Sequence, residues 1–194
     1  MKKLLMCGFE PFGGENINPS WTAVSQIADE VGEFKIYKLL LPVVFGEAAE
    51  IAINKAEEIA ADAVLCIGQA GGRSAITPEL VGINLRYAKI PDNAGNKPCD
   101  EPIIKGGPDA YFSTLPVRRM VEAIKAVGVM ADVSYSAGAY VCNDLLYTLL
   151  SHFEGSEVRV GFVHIPYSPE QKKEPCIDIC DVVKGLVTAI KSIG

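Results

Sequence analysis

Apolar residues along this chain follow two alternating periods. Lys3–Cys7 is a nearly continuous apolar run that stops at Gly8, as expected of a strand buried on both faces. A glycine-rich loop then leads to Asn18-Pro19-Ser20, a helix start with a capping side chain and a proline in the first turn. Trp21, Val24, Ile27, Ala28 and Val31 fall on one helical face. Lys35–Leu41 reads as a second strand closed by Pro42, and Glu47–Ala61, rich in Ala and Glu, as a helix. Ala63–Ile67 is another apolar run before a glycine. Val81, Ile83 and Leu85 alternate with Gly82, Asn84 and Arg86, which predicts a half-exposed strand over 81–87. Pro, Gly, Asn and Asp crowd Pro91–Pro108, a long loop and a candidate lid. Val117–Val127 reads as a helix, Ala131–Tyr135 as a strand, Cys142–Phe153 as a helix and Val158–His164 as a strand. Ile179, Val182, Val183, Leu186, Ile190 and Ile193 make the apolar stripe of a last helix.

Strands alternating with helices in this order imply an α/β fold: a three-layer α/β/α sandwich around a mostly parallel twisted sheet, with antiparallel edge pieces near 81–87. The length of 194 residues fits a single domain over 1–194, large enough to bury a core without a disulfide or metal staple. Lys and Arg number 18 against 24 Asp and Glu, a net charge of −6, which speaks against nucleic-acid or anionic-membrane partners. No apolar run is long enough for a membrane span, and the Met1–Cys7 start is too brief for a signal peptide, so the expected location is cytoplasmic. Six cysteines occur without a CxxC pair or a neighbouring histidine cluster. They predict reduced thiols and no metal.

In sheets of this kind ligands bind beyond the carboxyl ends of the strands. Four loops leave such ends: Gly8–Gly14, Gly68–Arg73 leading to Thr77-Pro78-Glu79, Ser136–Asn143, and His164–Tyr167. The glycines do not match a dinucleotide or P-loop pattern, so they read as tight turns. Cys142 opens a helix, where unpaired N–H groups and the positive dipole end favour a thiolate and can hold an oxyanion. Read alone, it is more simply a buried helix cysteine. His164 ends a strand of the same sheet and is the candidate general base. Glu79 is the acid best placed to orient it. Phe9, Phe12 and Tyr140 flank the same edge and must pack on something, either the protein's own helices or an apolar slot for a small planar substrate with Gln69 at its mouth.

Gly8-Phe9-Glu10-Pro11-Phe12-Gly13-Gly14, Asn18-Pro19-Ser20-Trp21, Ile90-Pro91-Asp92-Asn93, Ser136-Ala137-Gly138 through Val141-Cys142-Asn143, and His164-Ile165-Pro166 together resemble the pyrrolidone-carboxylate peptidases, or pyroglutamyl-peptidase I family, nearly end to end. The resemblance implies an open α/β/α sandwich, no cofactor, a cytoplasmic homotetramer or homodimer, and a Glu/Cys/His triad on Glu79, Cys142 and His164. It implies peptides with an N-terminal pyroglutamate as substrates, the lactam ring held by Phe9, Phe12 and Tyr140. Asn18, Gln69 and main-chain groups near Val141 would meet its polar edge. The chain departs from the family pattern in three places. Tyr87-Ala88-Lys89 replaces Asp-Ala-Arg, whose arginine would lie close to the nucleophile, so Lys89 is expected there. Tyr140 replaces a phenylalanine, and the stretch around Ala137 is unusually small. Two rival readings are a cysteine amidase for another small or cyclic acyl group and a weakly active paralogue that binds pyroglutamyl peptides. The triad residues favour the peptidase.

Overall fold

A computed structural model describes residues 1–194. Its six-stranded sheet has the order β2 (Glu30–Val31), β3 (Phe34–Leu41), β1 (Lys2–Phe9), β4 (Ala63–Gln69), β8 (Arg159–Ile165), β5 (Thr77–Pro78). The four central strands are parallel. The two short outer ones, β2 and β5, run antiparallel to their neighbours. Helices α1 (Pro19–Gln26), α3 (Val117–Ala126) and α5 (Ile179–Ile193) bury their apolar faces with one side of the sheet, and α2 (Glu47–Glu58) and α4 (Val141–His152) with the other. The expected three-layer α/β/α sandwich is therefore what the chain builds.

Strand parity decides which side chain meets which layer. In β1, Leu4 and Met6 join the core under α1, α3 and α5, while Leu5, Cys7 and Phe9 join the core under α2 and α4. In β8, Val163 and Ile165 enter the first core, Val160 and Phe162 the second. His164 shares the parity of Phe162 and so belongs to the α2/α4 side, where Cys142 opens α4.

Four expectations change. α1 stops at Gln26, short of Val31, because Gly32 takes a φ of +60° and lets residues 30–35 fold back as the β2–β3 hairpin. The antiparallel edge pieces are β2 and β5. Val81–Ile83, by contrast, is β6 of a separate two-stranded ribbon with β7 (Ala110–Phe112). Residues 131–135 form no continuous strand but run beside β5, with bridges Ile76 to Ala131 and Glu79 to Ser134. The stretch 91–108 is a loop, as its composition predicts, but it is pinned rather than poised. Asp92 accepts from the N–H groups of Phe45, Ala94 and Asn96 and from the Asn96 amide, and no residue of the stretch lines the cavity at the ends of β4 and β8.

Candidate active site

β4 and β8 end side by side, with Gly68 directly across from His164. The absent side chain at Gly68 makes room: a Cβ there would lie 2.7 Å from the Phe162 ring and 3.0 Å from Cys142 Sγ. The sulfur thus sits over the end of β4, against the face that carries His164. α4 begins at Val141 with no side-chain cap from Tyr140, so its first N–H groups are left for other partners. Asn143 and Asp144 lock that end of the helix in place. Asn143 Nδ2 donates to the carbonyls of Ile83 and Leu85, and its Oδ1 accepts from Ile83 N at 2.9 Å. Asp144, fully buried, accepts from Gly46 N at 2.7 Å and pairs with Arg86 Nε at 2.5 Å.

His164 Nδ1 and Glu79 Oε1 are 2.7 Å apart, and both residues are buried. Burial raises Glu79, yet the hydrogen bond from His164, helped by Ser134 and the Arg73 charge, outweighs it and holds the carboxyl below its ordinary range. An ionised carboxylate only accepts, so Nδ1 carries the proton and Nε2 is left as a base. Burial also depresses His164, against the pull of Glu79, and keeps the ring neutral near pH 7. Phe162 packs at 4.7 Å from the imidazole and fixes its tilt.

A cavity of about 360 Å³ opens at these strand ends. Cys142, His164, Phe9, Phe12, Asn18, Gln69 and Tyr140 all line it, together with Val43, Ala70, Gly71, Arg73, Ser136, Ala137 and Gly138. Tyr140 is held by its hydroxyl, which donates to Pro91 O at 3.0 Å, and by an edge-on contact with Phe45. Gln69 Oε1 accepts from Gln171 Nε2 at 2.9 Å, which leaves the Gln69 amide N–H groups as donors. The Asn18 side chain is partly committed: it accepts from Ser20 N and Oγ as the cap of α1 and donates one N–H to Glu10 O, which leaves its second amide N–H as a donor. Val141 is fully buried in the core and offers the site only main-chain atoms. Lys89 does not line this cavity. It is exposed and borders a second, shallower pocket of about 260 Å³ behind Phe12 and Tyr140, with Tyr87, Ile90 and Ala139.

The cysteine differs from its sequence expectation. Burial pushes the Cys142 thiol up to about 12, the Glu79 charge adds to this, and Arg73 opposes it. The helix end that favours a thiolate is outweighed by desolvation, so the resting pair is a neutral thiol beside a neutral imidazole.

Arg73 is the site residue that sequence reasoning passed over. Its Nη1 lies 2.7 Å from Glu79 Oε1 and 2.5 Å from Thr77 Oγ1, and its Nη2 donates to Ser136 O at 3.0 Å. The signal was available: it is the one cation in the loop between β4 and Glu79.

A thiol and an imidazole lining one cavity, the imidazole backed by a buried carboxylate, on an α/β/α frame, fit a hydrolase of the peptidase class. The family model described as pyroglutamyl peptidase matches residues 2–194. The pyrrolidone-carboxylate peptidase 1 of Caldanaerobacter subterraneus subsp. tengcongensis is 47% identical, over 98% of this chain and 97% of its own. The pyrrolidone-carboxylate peptidase of Escherichia fergusonii is 49% identical, over 98% and 92%. The crystal structure of Bacillus amyloliquefaciens pyroglutamyl peptidase I superposes with a TM-score of 0.95 at 44% identity, covering 100% of this chain and 97% of that one. The pyrrolidone carboxyl peptidase from Thermococcus litoralis gives 0.95 at 35% identity, over 100% and 93%. The chain belongs to the pyroglutamyl peptidase family.

Proposed function

We propose that this chain, acting as one domain, removes N-terminal pyroglutamate from peptides by way of a thioester on Cys142. The observation that carries the reading is the juxtaposition of the Glu79–His164 pair with Cys142 in a cavity walled by Phe9, Phe12 and Tyr140. A pyroglutamyl residue has no α-amine charge, only a planar lactam, which suits an aromatic slot. The Gln69 amide donates to the lactam carbonyl.

In the first half-reaction the Cys142 sulfur adds to the carbonyl that joins pyroglutamate to the next residue, while its proton passes to His164 Nε2. The N–H groups at the start of α4 stabilise the oxyanion. The C–N bond then breaks as His164 returns the proton to the departing amine, leaving the thioester. In the second half-reaction His164 takes a proton from water, hydroxide adds to the thioester, and the C–S bond breaks with return of that proton to sulfur. Pyroglutamate leaves as the free acid. Glu79 stabilises the imidazolium in both halves.

Six free cysteines, two of them exposed, suit a reducing cytoplasm. Exposed Phe112, Met130 and Tyr135 support self-association as a homodimer or homotetramer. Acid quenching during turnover of a pyroglutamyl ester tests the route: the acyl group is expected on Cys142 by mass spectrometry, and acylation of another residue, or of none during turnover, contradicts it.

A further inference from the structure

Glu79 presents two oxygens to the protein interior, and its Arg73 and His164 partners converge on one of them. His164 Nδ1 and Arg73 Nη1 each lie 2.7 Å from Oε1, while Oε2 is buried with no hydrogen-bond partner. A bare, buried carboxylate oxygen is where a proton would settle if the charge were not compensated. Arg73 is the permanent cation on that carboxylate, since His164 is neutral in the resting site. The second arm of the guanidinium holds Ser136 O, and Ser136 lines the same cavity as Cys142. One planar fork therefore ties the acid of the site to the wall that faces the thiol.

We infer that Arg73 is a positioning residue: by bridging the Glu79 carboxylate and the Ser136 carbonyl, its guanidinium holds the Glu79–His164 pair in register with Cys142. This rests on the peptidase reading above. Arg73 also acts at a distance, lowering both the Cys142 thiol and the His164 imidazole. The other titratable or charged groups facing this cluster are Cys66 and Tyr140 beside Cys142, Cys7 beside Cys66, and Asp132 and Tyr135 across the open surface pocket that Arg73 borders. Neither Cys66 nor Cys7 supplies positive charge, and Tyr140 is itself pushed up to about 12, by burial first and then by Asp92 and Cys142. No second cation is placed to replace Arg73.

Arg73→Met and Arg73→Lys, in the full chain, separate a positioning role from a merely structural one. Two readouts are needed: the iodoacetamide alkylation rate of Cys142 at pH 8, located by mass spectrometry, and the acid limb of kcat/KM for a pyroglutamyl amide. In Arg73→Met the loss of a neighbouring positive charge is expected to slow alkylation about tenfold, the equivalent of one pH unit. The acid limb moves to higher pH as His164 and Glu79 both hold protons more tightly. Arg73→Lys keeps the charge but not the fork. Its acid limb and alkylation rate stay with the wild type while kcat falls at unchanged KM. A folded Arg73→Met with wild-type alkylation and an unmoved acid limb overturns the inference. So does an equal loss in both variants at every pH. If Arg73→Met does not fold, Arg73→Lys decides: reduced kcat with an unmoved acid limb supports the role, and wild-type kcat refutes it. If the wild type hydrolyses no pyroglutamyl amide, the peptidase reading fails by itself, and the alkylation comparison still judges Arg73.

Discussion

At the scale of single residues, the decisive feature is a thiol kept neutral beside a base kept neutral. Desolvation pushes Cys142 up to about 12 and His164 down from 6.5. The thiol proton therefore moves only as the sulfur attacks. A pre-formed thiolate–imidazolium pair would alkylate at a constant rate from mildly acid pH upward. This site instead predicts a Cys142 alkylation rate that climbs about tenfold per unit between pH 7 and 9. A plateau across that range contradicts the neutral pair. His164→Ala removes the only imidazole in the cavity and is expected to lower kcat by at least about 10³, with KM little changed, because the ring contacts remain. Initial-rate kinetics on a pyroglutamyl amide check this. Sequence position alone identified Cys142, His164 and Glu79 as candidates, since each sits at a strand end or helix start. Desolvation could not be read the same way, because Cys142 packs over Gly68 at the end of β4 and against the α2/α4 core, much of which is distant in sequence.

At the scale of elements, the site depends on how α4 is seated over the ends of β4 and β8. Gly68→Ala puts a methyl group against the Phe162 ring and the Cys142 sulfur. The expected result is a stability loss of about 1–3 kcal/mol from overpacking, with a larger relative loss of kcat as the thiol is displaced. Urea unfolding and kinetics on the same preparation measure both, and wild-type behaviour in each contradicts the packing seen here. Asn143→Ala strips partners from Ile83 N, Ile83 O and Leu85 O. Leaving such groups unsatisfied costs about 1–3 kcal/mol each when buried, so a total near 3 kcal/mol is expected in urea. Most elements were legible from periodicity, because the central strands are buried on both faces and the helices carry apolar stripes. The shortfalls have separate causes. The helix pattern through Val31 was overridden by Gly32 and the hairpin it permits. Residues 131–135 look like a strand, but they bond to a β5 only two residues long. The 91–108 stretch looked like a lid because its composition shows no regular structure, yet the Asp92 network that pins it is made with Phe45 from another loop. Lys89 was expected near the nucleophile from the family pattern, whereas the chain sends it to the far side of Phe12 and Tyr140.

At the scale of the whole molecule, the buried groups set how stability varies with pH. Glu79 titrates below its ordinary 4.5 in the fold, so its contribution is present above that pH and lost as pH falls through the depressed value. His164 is held below 6.5, so protonating it in acid also opposes folding. Cys142 has the opposite sign: raised from 9.0 to about 12, it stabilises below pH 9 and loses that contribution as pH climbs toward 12. Melting curves at fixed ionic strength should show a plateau between about pH 6.5 and 9, falling on both sides; a maximum below pH 5 contradicts these assignments. The fold, the cavity and the family relationship converge on one activity, and substrate selectivity tests it most directly. Turnover of a pyroglutamyl fluorogenic amide is to be measured beside its prolyl and alanyl analogues, with Cys142→Ser as the control. Prolyl and alanyl amides bring a charged amine into an apolar slot and lack the lactam carbonyl that Gln69 awaits. Cleavage of the pyroglutamyl amide is expected to be at least about a hundredfold faster than that of either analogue, and abolished in Cys142→Ser. Comparable cleavage of the prolyl amide, or no cleavage of the pyroglutamyl amide by folded protein, would contradict the peptidase reading.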